Sequence, residues 1–475
     1  MSEKKKLMLV YPNFRWQKFD RNTMWELSPE TICLLAAMVR DIVDVKIVDA
    51  QLYNLSLDAF GDRVREYAPD FIGISILTTE YSDVLDITAR KIKEINRNTF
   101  VIAGGVHVTT NYKMVMKNAD VDYAVRGEGE YVLPALLKYL MGQGNLPAEG
   151  LAYRRDGKEI VQKRAIVEDI SKLPWPAYDL VDLRAYLVKK TRPAPTNPPA
   201  YPSLMMVPTR GCPFGCSFCQ VDEISGKKVR ARDPEDVVDE LIFLKKKYGI
   251  RSIVFFTDNL LMGEKDFARK LFKRMIEKKL GLKWIMPGTA LFLLTDEMLD
   301  LMKASGCVGL NIAIESGNER VLREIVNKPI KDLSKVPEII KKIKDRGMYC
   351  LANFIIGLPG ETWDEIRDTI RYAENCGAEY VKIFVAVPLY GTRLYEMAKK
   401  MNAIVGGEEN LKVDWRYSQV RSNEWTAKDV SILRAYEWDR INFSRDRIKR
   451  TAEIWGMTEE ELKEIRKKTR DDLVF

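Results

Sequence analysis

The amino-acid sequence predicts an α/β protein with a Rossmann-like, doubly wound parallel-sheet domain, then a partial (β/α)6 TIM-like barrel and a helical C-terminal region. Two patterns lead to this fold class. Short apolar runs alternate with amphipathic segments over residues 1–145, and the same strand–helix alternation recurs six times over residues 201–398. Apolar strands joined by helices are typical of parallel sheets covered on both faces. Residues 399–475 have a charged, helical pattern.

Five strands and five helices are predicted in the first domain. The strands are expected at 7–12, 45–50, 71–77, 100–107 and 123–129, and the helices at 29–41, 57–67, 83–96, 112–118 and 131–140. In a doubly wound sheet, ligands bind beyond the carboxyl ends of the strands. We therefore expect a binding site in the loops that follow these strands.

Residues 146–200 are predicted to join the two domains through a hairpin and a proline-rich linker. Segments 151–154 and 159–163 flank Arg155-Asp156-Gly157, and Asp-Gly is a strong hairpin signal. Five prolines fall within residues 191–202, which indicates a stiff linker. The domain boundary is therefore placed in this linker.

Six strand–helix units are predicted in the second domain, which is too few for a complete eight-unit barrel. The strands are expected to begin near Ser203, Ser252, Lys283, Val308, Met348 and Tyr380. The clearest helices are predicted at 234–247, 265–278, 296–304, 337–345 and 363–376.

Composition and charge exclude several classes of function. The net charge of +8, from 76 basic and 68 acidic residues spread along the chain, indicates solvated faces and no nucleic-acid partner. No window has the length and hydropathy of a transmembrane segment, and the N-terminus lacks the pattern of a signal peptide. We therefore expect a cytoplasmic protein, whose seven cysteines serve metal binding or catalysis and not disulfides.

The segment 434–450 mixes aromatic residues with arginine and lysine. We expect it to form a solvated helix that packs on the barrel. The alternative is peripheral contact with a membrane surface or an anionic substrate.

Three cysteines stand in one loop after the first barrel strand. Cys212, Cys216 and Cys219 have the spacing C-x3-C-x2-C. A closed zinc site needs four ligands, yet the other cysteines are single and the only histidine lies in the other domain. Three buried structural thiols are the other alternative. Three thiolates can instead hold three irons of a [4Fe–4S] cluster and leave the fourth iron open.

This cysteine motif, with Phe218 before its last cysteine, resembles that of the radical S-adenosylmethionine (SAM) superfamily. The resemblance covers about residues 200–395. It implies that SAM chelates the open iron of a cluster on Cys212, Cys216 and Cys219. It also implies that reductive cleavage of SAM gives a 5′-deoxyadenosyl radical, with electrons from a donor such as a flavodoxin or ferredoxin.

Two segments after later barrel strands match SAM-binding segments of that superfamily. The resemblance assigns Asp258 to the methionine amino group, with Asn259 beside it. A helix cap or turn is the alternative for Asp258. The run Glu315-Ser316-Gly317 resembles a Glu-Ser-Gly segment that contacts SAM, so Glu315 and Ser316 are assigned to SAM binding.

The fifth barrel strand resembles the superfamily's adenine-binding segment. Backbone contact to adenine is expected near Ile356. Asn353 replaces the first glycine of that motif, and Glu361 falls one residue late, so no role is assigned to Glu361.

Glycines follow the fourth and fifth strands of the first domain, where they let a large planar ligand approach the backbone. The runs are Gly104-Gly105-Val106-His107-Val108-Thr109 and Arg126-Gly127-Glu128-Gly129-Glu130. They resemble the cobalamin-binding domain of the cobalamin-dependent radical SAM family, over about residues 5–145. The resemblance implies cobalamin contacts at Ser75, Thr78, Gly104, Gly105, His107, Gly127, Glu128 and Gly129.

The lower axial ligand of cobalt stays unassigned. The motif Asp-x-His-x-x-Gly is absent, because Gly105 stands two residues before His107. We expect His107 at the corrin periphery or the nucleotide tail. A turn histidine with satisfied hydrogen bonds is the alternative.

These resemblances together imply a C-methyltransferase that acts on an unactivated carbon through the 5′-deoxyadenosyl radical and methylcobalamin. One alternative with the same cofactors is an oxidative cyclase or rearrangement enzyme without net methyl transfer. An alternative of another class is a non-enzymatic cobalamin sensor or carrier, which would not need the cysteine triplet. The substrate class stays open among small molecules, lipids and peptides.

Overall fold

The computed structural model describes residues 4–17, 29–188, 199–408, 411 and 413–471. The chain divides into two compact units, which are Met1–Val188 with Glu223–Gly226, and Lys189–Asp222 with Lys227–Phe475. Most of the predicted proline-rich linker lies outside the described residues. The predicted limits of the four regions stay predictions.

The first unit contains a seven-stranded sheet of order β2-β1-β3-β4-β5-β6-β7. The strands are β1 (Lys6–Tyr11), β2 (Asp44–Asp49), β3 (Phe71–Ser75), β4 (Phe100–Gly104), β5 (Tyr123–Val125), β6 (Leu151–Arg155) and β7 (Lys158–Val161). The first five are parallel, and β6 and β7 are antiparallel additions. The hairpin predicted between the domains therefore extends this sheet. It turns at Asp156 and Gly157, both of which have positive φ.

Helices cover both faces of this sheet, as a doubly wound fold requires. They are α1 (Glu30–Val39), α2 (Leu57–Tyr67), α3 (Asp83–Ile95), α4 (Val106–Val115), α5 (Val132–Leu140) and α6 (Leu183–Tyr186). Alternate residues of β1 enter two different cores. Met8 and Val10 pack with α2, α3 and α4, whereas Leu7 and Leu9 pack with α1 and α5. The Rossmann-like prediction is confirmed.

The predicted strand 100–107 and helix 112–118 are wrong in their limits. β4 ends at Gly104 and α4 already begins at Val106. Gly105 has a φ of 98°, and a Cβ there would lie 2.4 Å from the Ile76 carbonyl oxygen, so the strand turns at this glycine. The β-branched residues after Gly105 favoured a strand in the sequence pattern, although they form a helix in the structure.

The second unit contains six parallel strands in the order β15-β14-β13-β12-β11-β8. They are β8 (Ser203–Met206), β11 (Ser252–Phe255), β12 (Lys283–Thr289), β13 (Cys307–Glu315), β14 (Tyr349–Ile356) and β15 (Tyr380–Val385). A separate two-stranded ladder joins β9 (Thr209–Arg210) to β10 (Arg230–Ala231). Since neighbouring strands follow one another along the chain, the predicted partial barrel is confirmed.

Helices follow the strands of the second unit and continue after the last strand. They are α8 (Pro234–Tyr248), α9 (Phe267–Glu277), α10 (Asp296–Ala304), α11 (Val336–Asp345), α12 (Trp363–Asn375), α13 (Arg393–Lys400), α14 (Ala427–Asn442), α15 (Arg445–Trp455) and α16 (Glu459–Asp471). The short helix α7 (Val221–Ile224) spans a limit between the two units, and Val321–Val326 forms a π-helical turn. The predicted helical C-terminal region is confirmed. Over the described residues, no helix has the length and apolar character needed to cross a membrane.

Helix α14 closes the exposed edge of β15. The Asn442 side chain accepts a hydrogen bond from the Val381 amide and donates one to the Val381 carbonyl, each at 2.8 Å. Arg434 donates from Nε to the Ile383 carbonyl at 2.9 Å. Edge strands carry unpaired backbone groups that favour aggregation, and these side chains satisfy them. Arg440 pairs with Glu374 of α12, so the segment 434–450 makes charged contacts within its own unit.

Candidate active site of the second unit

The three cysteines of the predicted motif lie in one loop directly after β9. Gly211 and Gly215 have positive φ values of 98° and 61°, which allow the loop to turn tightly around the thiols. Cys219 donates a backbone hydrogen bond to the Cys216 carbonyl at 3.1 Å. We call residues 211–219 the cysteine loop.

Segments after two barrel strands hold the cysteine loop in place. The Ser217 amide donates to the Val326 carbonyl at 2.8 Å, and the Asn327 side chain donates to the Gly215 carbonyl at 3.0 Å. On the other side, the Leu394 amide donates to the Ser217 carbonyl at 2.8 Å. The loop is thus fixed at the carboxyl ends of the barrel strands, where barrel enzymes carry their active sites.

The three thiols differ from the other cysteines of the chain. Cys212, Cys216 and Cys219 are partly exposed, whereas Cys33, Cys307, Cys350 and Cys376 are buried. Burial raises the pKa of Cys216, although the nearby Lys328 charge lowers it in part. Burial, together with charge on the neighbouring thiols, raises the pKa of Cys219 to about 12. Iron binding must therefore displace the thiol protons.

The three thiols stand in one loop, which is the donor set that a [4Fe–4S] cluster needs. Within the described part of the chain, no three His, Cys, Asp or Glu side chains converge on one ion position. A [4Fe–4S] cluster does not need such convergence, because each thiolate binds a different iron. The thiols are nevertheless close enough to interact electrostatically.

Asp258 and Asn259 support the cysteine loop from the segment after β11. Asp258 accepts a hydrogen bond at Oδ2 from the Gly211 amide at 2.8 Å. Asn259 is buried, and its Nδ2 lies 3.7 Å from the Cys212 sulfur, within hydrogen-bonding distance for sulfur. The next helical turn begins at Glu264, so Asp258 is not a helix cap. Contact of these two residues with SAM stays a prediction.

Glu315 forms a buried ion pair with Lys328 beside the cysteines. The Lys328 Nζ lies 3.0 Å from Glu315 Oε1, and the two side chains are only 9% and 7% exposed. Glu315 ends β13 with a φ of 77°, where the pairing with β14 shifts register. Although burial lowers the pKa of Lys328, the charges of Glu315 and Cys216 raise it above its ordinary value. The pair therefore places a carboxylate and an ammonium next to the thiols.

Lys328 was not identified from the sequence. It stands 13 residues from Glu315, after the π-helical turn, in a segment without a recognisable motif. Only the fold brings it to the cysteine loop. No sequence signal indicated it, because the contact between the preceding Asn327 and the same loop exists only in the folded chain.

Ser316 and Gly317 contact α12. The Ser316 hydroxyl lies 2.9 Å from the Thr369 hydroxyl and accepts a hydrogen bond from the Asn318 amide. A Cβ at Gly317 would lie 2.4 Å from the Tyr372 Cβ, so glycine is required for the close contact with the helix. The role of Ser316 in SAM binding stays a prediction.

Ile356 and Phe218 line the packed rim of the barrel. Ile356 is buried at the end of β14, and its carbonyl accepts a hydrogen bond from the Ala386 amide. Phe218 packs against an apolar cluster that includes Val326 and Leu394. Glu361 accepts a hydrogen bond from the Leu358 amide, and burial raises the pKa of its carboxyl to about 8. Adenine contact near Ile356 stays a prediction.

Candidate cobalamin site of the first unit

Ser75 and Gly104 are paired at the carboxyl ends of β3 and β4. Thr78 follows β3, and its hydroxyl accepts a hydrogen bond from the Glu80 amide at 3.4 Å. Gly105 approaches the Ile76 backbone closely and allows α4 to begin at once. The structure thus brings Ser75, Thr78, Gly104 and Gly105 to one edge of the sheet, where a doubly wound fold binds its ligand.

His107 lies in the first turn of α4 and is 3% exposed. Its Nδ1 is 3.3 Å from the Thr79 hydroxyl, to which Asn111 Nδ2 donates at 3.1 Å. Burial lowers the pKa of His107 to about 4, so the imidazole is neutral at pH 7. Contact with the corrin periphery or nucleotide tail stays a prediction.

The second glycine-rich run, residues 126–130, contacts the backbone of residues 165–167 of the same chain. Gly127 has a φ of 87°, and a Cβ there would lie 2.1 Å from the Ala165 carbonyl oxygen. Glu128 accepts a hydrogen bond at Oε2 from the Val167 amide at 2.6 Å. The backbone of Ala165 thus approaches Gly127 closely, where the sequence predicted the close approach of a ligand. Cobalamin contacts at Gly127, Glu128 and Gly129 stay predictions.

The doubly wound domain and the thiol-bearing partial barrel together define a class of enzyme with two cofactor-binding domains. Residues 206–373 match the family model of the radical SAM superfamily, and residues 26–137 match that of the B12 binding domain.

Known proteins share both parts of this architecture. An uncharacterized methyltransferase of Pyrococcus horikoshii is 31% identical over 85% of this chain and 85% of its own length. Cytidylyl-2-hydroxyethylphosphonate methyltransferase of Streptomyces wedmorensis is 27% identical over 85% of this chain and 80% of its own. The structure of the cobalamin-dependent SAM radical enzyme OxsB, with aqua-cobalamin and SAM bound, matches 99% of this chain and 71% of that chain with a TM-score of 0.73 at 15% identity.

The chain belongs to the radical SAM superfamily and is a cobalamin-dependent radical SAM enzyme. The cofactors typical of this class are a [4Fe–4S] cluster, SAM and cobalamin.

Proposed function

We propose that this protein is a C-methyltransferase that acts on an unactivated carbon atom. The observation that carries the proposal is the similarity, over 85% of the chain, to two proteins that are both named methyltransferases. The cysteine loop and the glycine-rich strand ends of the first unit provide candidate positions for the cofactors that such a reaction needs.

The residues of the chain bind and orient the cofactors, which together supply a radical that removes hydrogen from carbon and a transferable methyl group. Cys212, Cys216 and Cys219 hold the cluster. Phe218, Asp258, Asn259, Glu315, Ser316 and Ile356 are proposed to contact SAM. Ser75, Thr78, Gly104, Gly105, His107, Gly127, Glu128 and Gly129 are proposed to contact cobalamin. The buried Glu315–Lys328 pair keeps a fixed carboxylate beside the thiols.

Methyl transfer is tested by counting the products of SAM in the presence of candidate methyl acceptors, which are small molecules, lipids and peptides. The reconstituted enzyme is incubated anaerobically with cobalamin, SAM and a flavodoxin or ferredoxin reducing system. We expect S-adenosylhomocysteine and 5′-deoxyadenosine to form together. The Cys216→Ala variant should form no 5′-deoxyadenosine. The control Cys376→Ala, which removes a buried thiol at the C-cap of α12, should still form it.

Two other product patterns would contradict the proposal. Formation of 5′-deoxyadenosine without S-adenosylhomocysteine would indicate an oxidative cyclase or rearrangement enzyme. Formation of neither product, with cobalamin still bound, would indicate a cobalamin sensor or carrier.

A further inference from the structure

Lys382 is a charged residue on the inner face of the six-stranded sheet. It lies in β15 directly beside Asn353 of β14, which in turn lies beside Ala313 of β13. Paired residues on neighbouring strands project from the same face. The residue after Asn353, Phe354, packs against Tyr372 of α12 with ring centroids 6.3 Å apart. Since side chains alternate along a strand, Asn353 and Lys382 project from the face turned away from α12.

The Lys382 ammonium has no counter-ion among the described residues. Burial alone lowers its pKa from 10.5 to about 8, with no neighbouring charge that raises it. The residue as a whole keeps intermediate exposure, so a ligand can reach it. By contrast, the buried Lys328 of the same barrel is paired with Glu315. An unpaired buried ammonium is costly, and a counter-charge brought by a ligand would offset that cost.

Two amides on the same face also lack partners. Within the described ranges, Asn353 Oδ1 and Asn311 Oδ1 are buried without a hydrogen bond. Asn311 precedes Ala313 by two residues on β13 and so shares its face. Rotation of a side-chain amide exchanges its oxygen and nitrogen, so Asn353 can present N–H donors to an anion. Ala313 carries only a methyl group, which leaves space in the row that it shares with Lys382.

We infer that this row is a binding subsite for an acidic group, whose carboxylate or phosphate oxygen pairs with Lys382 and accepts a hydrogen bond from Asn353. A neutral group would leave the ammonium uncompensated. The acid can belong to SAM, as its α-carboxylate, or to the substrate. The inference rests on the proposed function only in assuming that the bound acid takes part in that reaction.

The first test measures thermal unfolding of the full chain without ligands. Lys382→Met keeps the length of the side chain and removes the unpaired charge, so it should raise Tm above that of the wild type at pH 7. The control Lys335→Met, at a lysine whose side chain is 74% exposed, should leave Tm unchanged. The difference between wild type and Lys382→Met should shrink as pH rises from about 8 to 10.5. In that window the unfolded chain binds the proton that folded Lys382 has released, which favours the folded wild type as pH rises.

The second test measures the rise in Tm on addition of SAM, and separately of acetate, inorganic phosphate or methylphosphonate at matched ionic strength. Wild type and Lys335→Met should be stabilised, and Lys382→Met should bind the same probe at least tenfold more weakly. Dependence on Lys382 with SAM would identify the SAM carboxylate as the acid. Dependence with acetate, phosphate or methylphosphonate, but not with SAM, would identify an acid on the substrate.

The inference is overturned if Lys382→Met is no more stable than the wild type without ligand. It is equally overturned if the variant responds to SAM and to all three anions as the wild type does. Neither measurement needs turnover, so a failed product count leaves this inference standing, and its own failure leaves methyl transfer standing.

Discussion

At the scale of single residues, the Glu315–Lys328 pair is a buried ion pair beside the cysteine loop. Both side chains are almost fully buried, and Lys328 directly follows the segment that holds Ser217 and Gly215. Glu315 adopts a left-handed conformation, which a non-glycine residue keeps only when its surroundings hold it there. Removing one partner would leave the other charged and buried.

Lys328→Met should therefore destabilise the apo-protein by about 3–5 kcal/mol. The double variant E315Q/K328M should recover most of this loss, because it leaves no uncompensated charge. Thermal unfolding under anaerobic conditions measures both effects. Lys341→Met serves as the control, since its partner Asp345 is exposed on the surface. A Lys328→Met protein as stable as the wild type would show that the pair is not buried as described.

His107 gives a second prediction at the residue scale, because it is the only histidine of the chain. Its imidazole signal in NMR should titrate near pH 4 in the folded protein, and not near 6.5. Between these values the unfolded chain takes up a proton that folded His107 does not, so stability falls as pH falls from 6.5 to 4. The free energy of unfolding should decrease by about 3 kcal/mol over this range. The His107→Gln variant should not show this decrease. Titration near pH 6.5 in the folded protein would contradict the burial of this residue.

At the scale of elements, the C-terminal helices complete a sheet that would otherwise end in an exposed strand. Asn442 is fully buried and pairs with both backbone groups of Val381, while Arg434 satisfies the Ile383 carbonyl. A helix thus replaces the neighbouring strand that a complete barrel would provide. Helix α14 is consequently part of the structural core of the second unit.

Asn442→Ala should destabilise the second unit by about 2 kcal/mol, because it leaves a buried amide and carbonyl without partners. Hydrogen exchange at the Val381 amide should become faster. Lys428→Ala, at an exposed position of the same helix, provides the control and should leave exchange unchanged. Unaltered protection of Val381 in Asn442→Ala would mean that this edge is covered by other contacts.

The sequence predicted most elements because their local patterns agree with the fold. The predicted helices 57–67 and 296–304 have the observed limits, and the six barrel strands begin within a residue or so of the expected positions. The prediction for the region after β4 was wrong because its apolar β-branched residues are typical of a strand. In the structure, the close contact of Gly105 with Ile76 turns the chain into α4. Such a contact between distant residues leaves no local periodic pattern.

At the scale of the whole molecule, the residues of the candidate site fall into two groups. Some belong to local sequence motifs, whereas others gain their neighbours only through long-range contacts. Cys212, Cys216 and Cys219 were visible because their spacing lies within one loop. Lys328 and Lys382 could not be identified from the sequence, because their significance depends on neighbours that come together only in the folded barrel. The family and its cofactors followed from the motifs, whereas the chemical class of the bound acid follows from an unpaired charge in the structure.

The most direct test of the central claim is reconstitution of the protein with iron and sulfide under anaerobic conditions, followed by EPR spectroscopy and assay of SAM cleavage. We expect about four irons per chain, an EPR signal of the reduced cluster that changes when SAM is added, and formation of 5′-deoxyadenosine. Cys216→Ala should lose the signal and the cleavage, and Cys376→Ala should keep both. A protein that assembles no cluster, or one whose reduced cluster is unaffected by SAM and never cleaves it, would contradict the account.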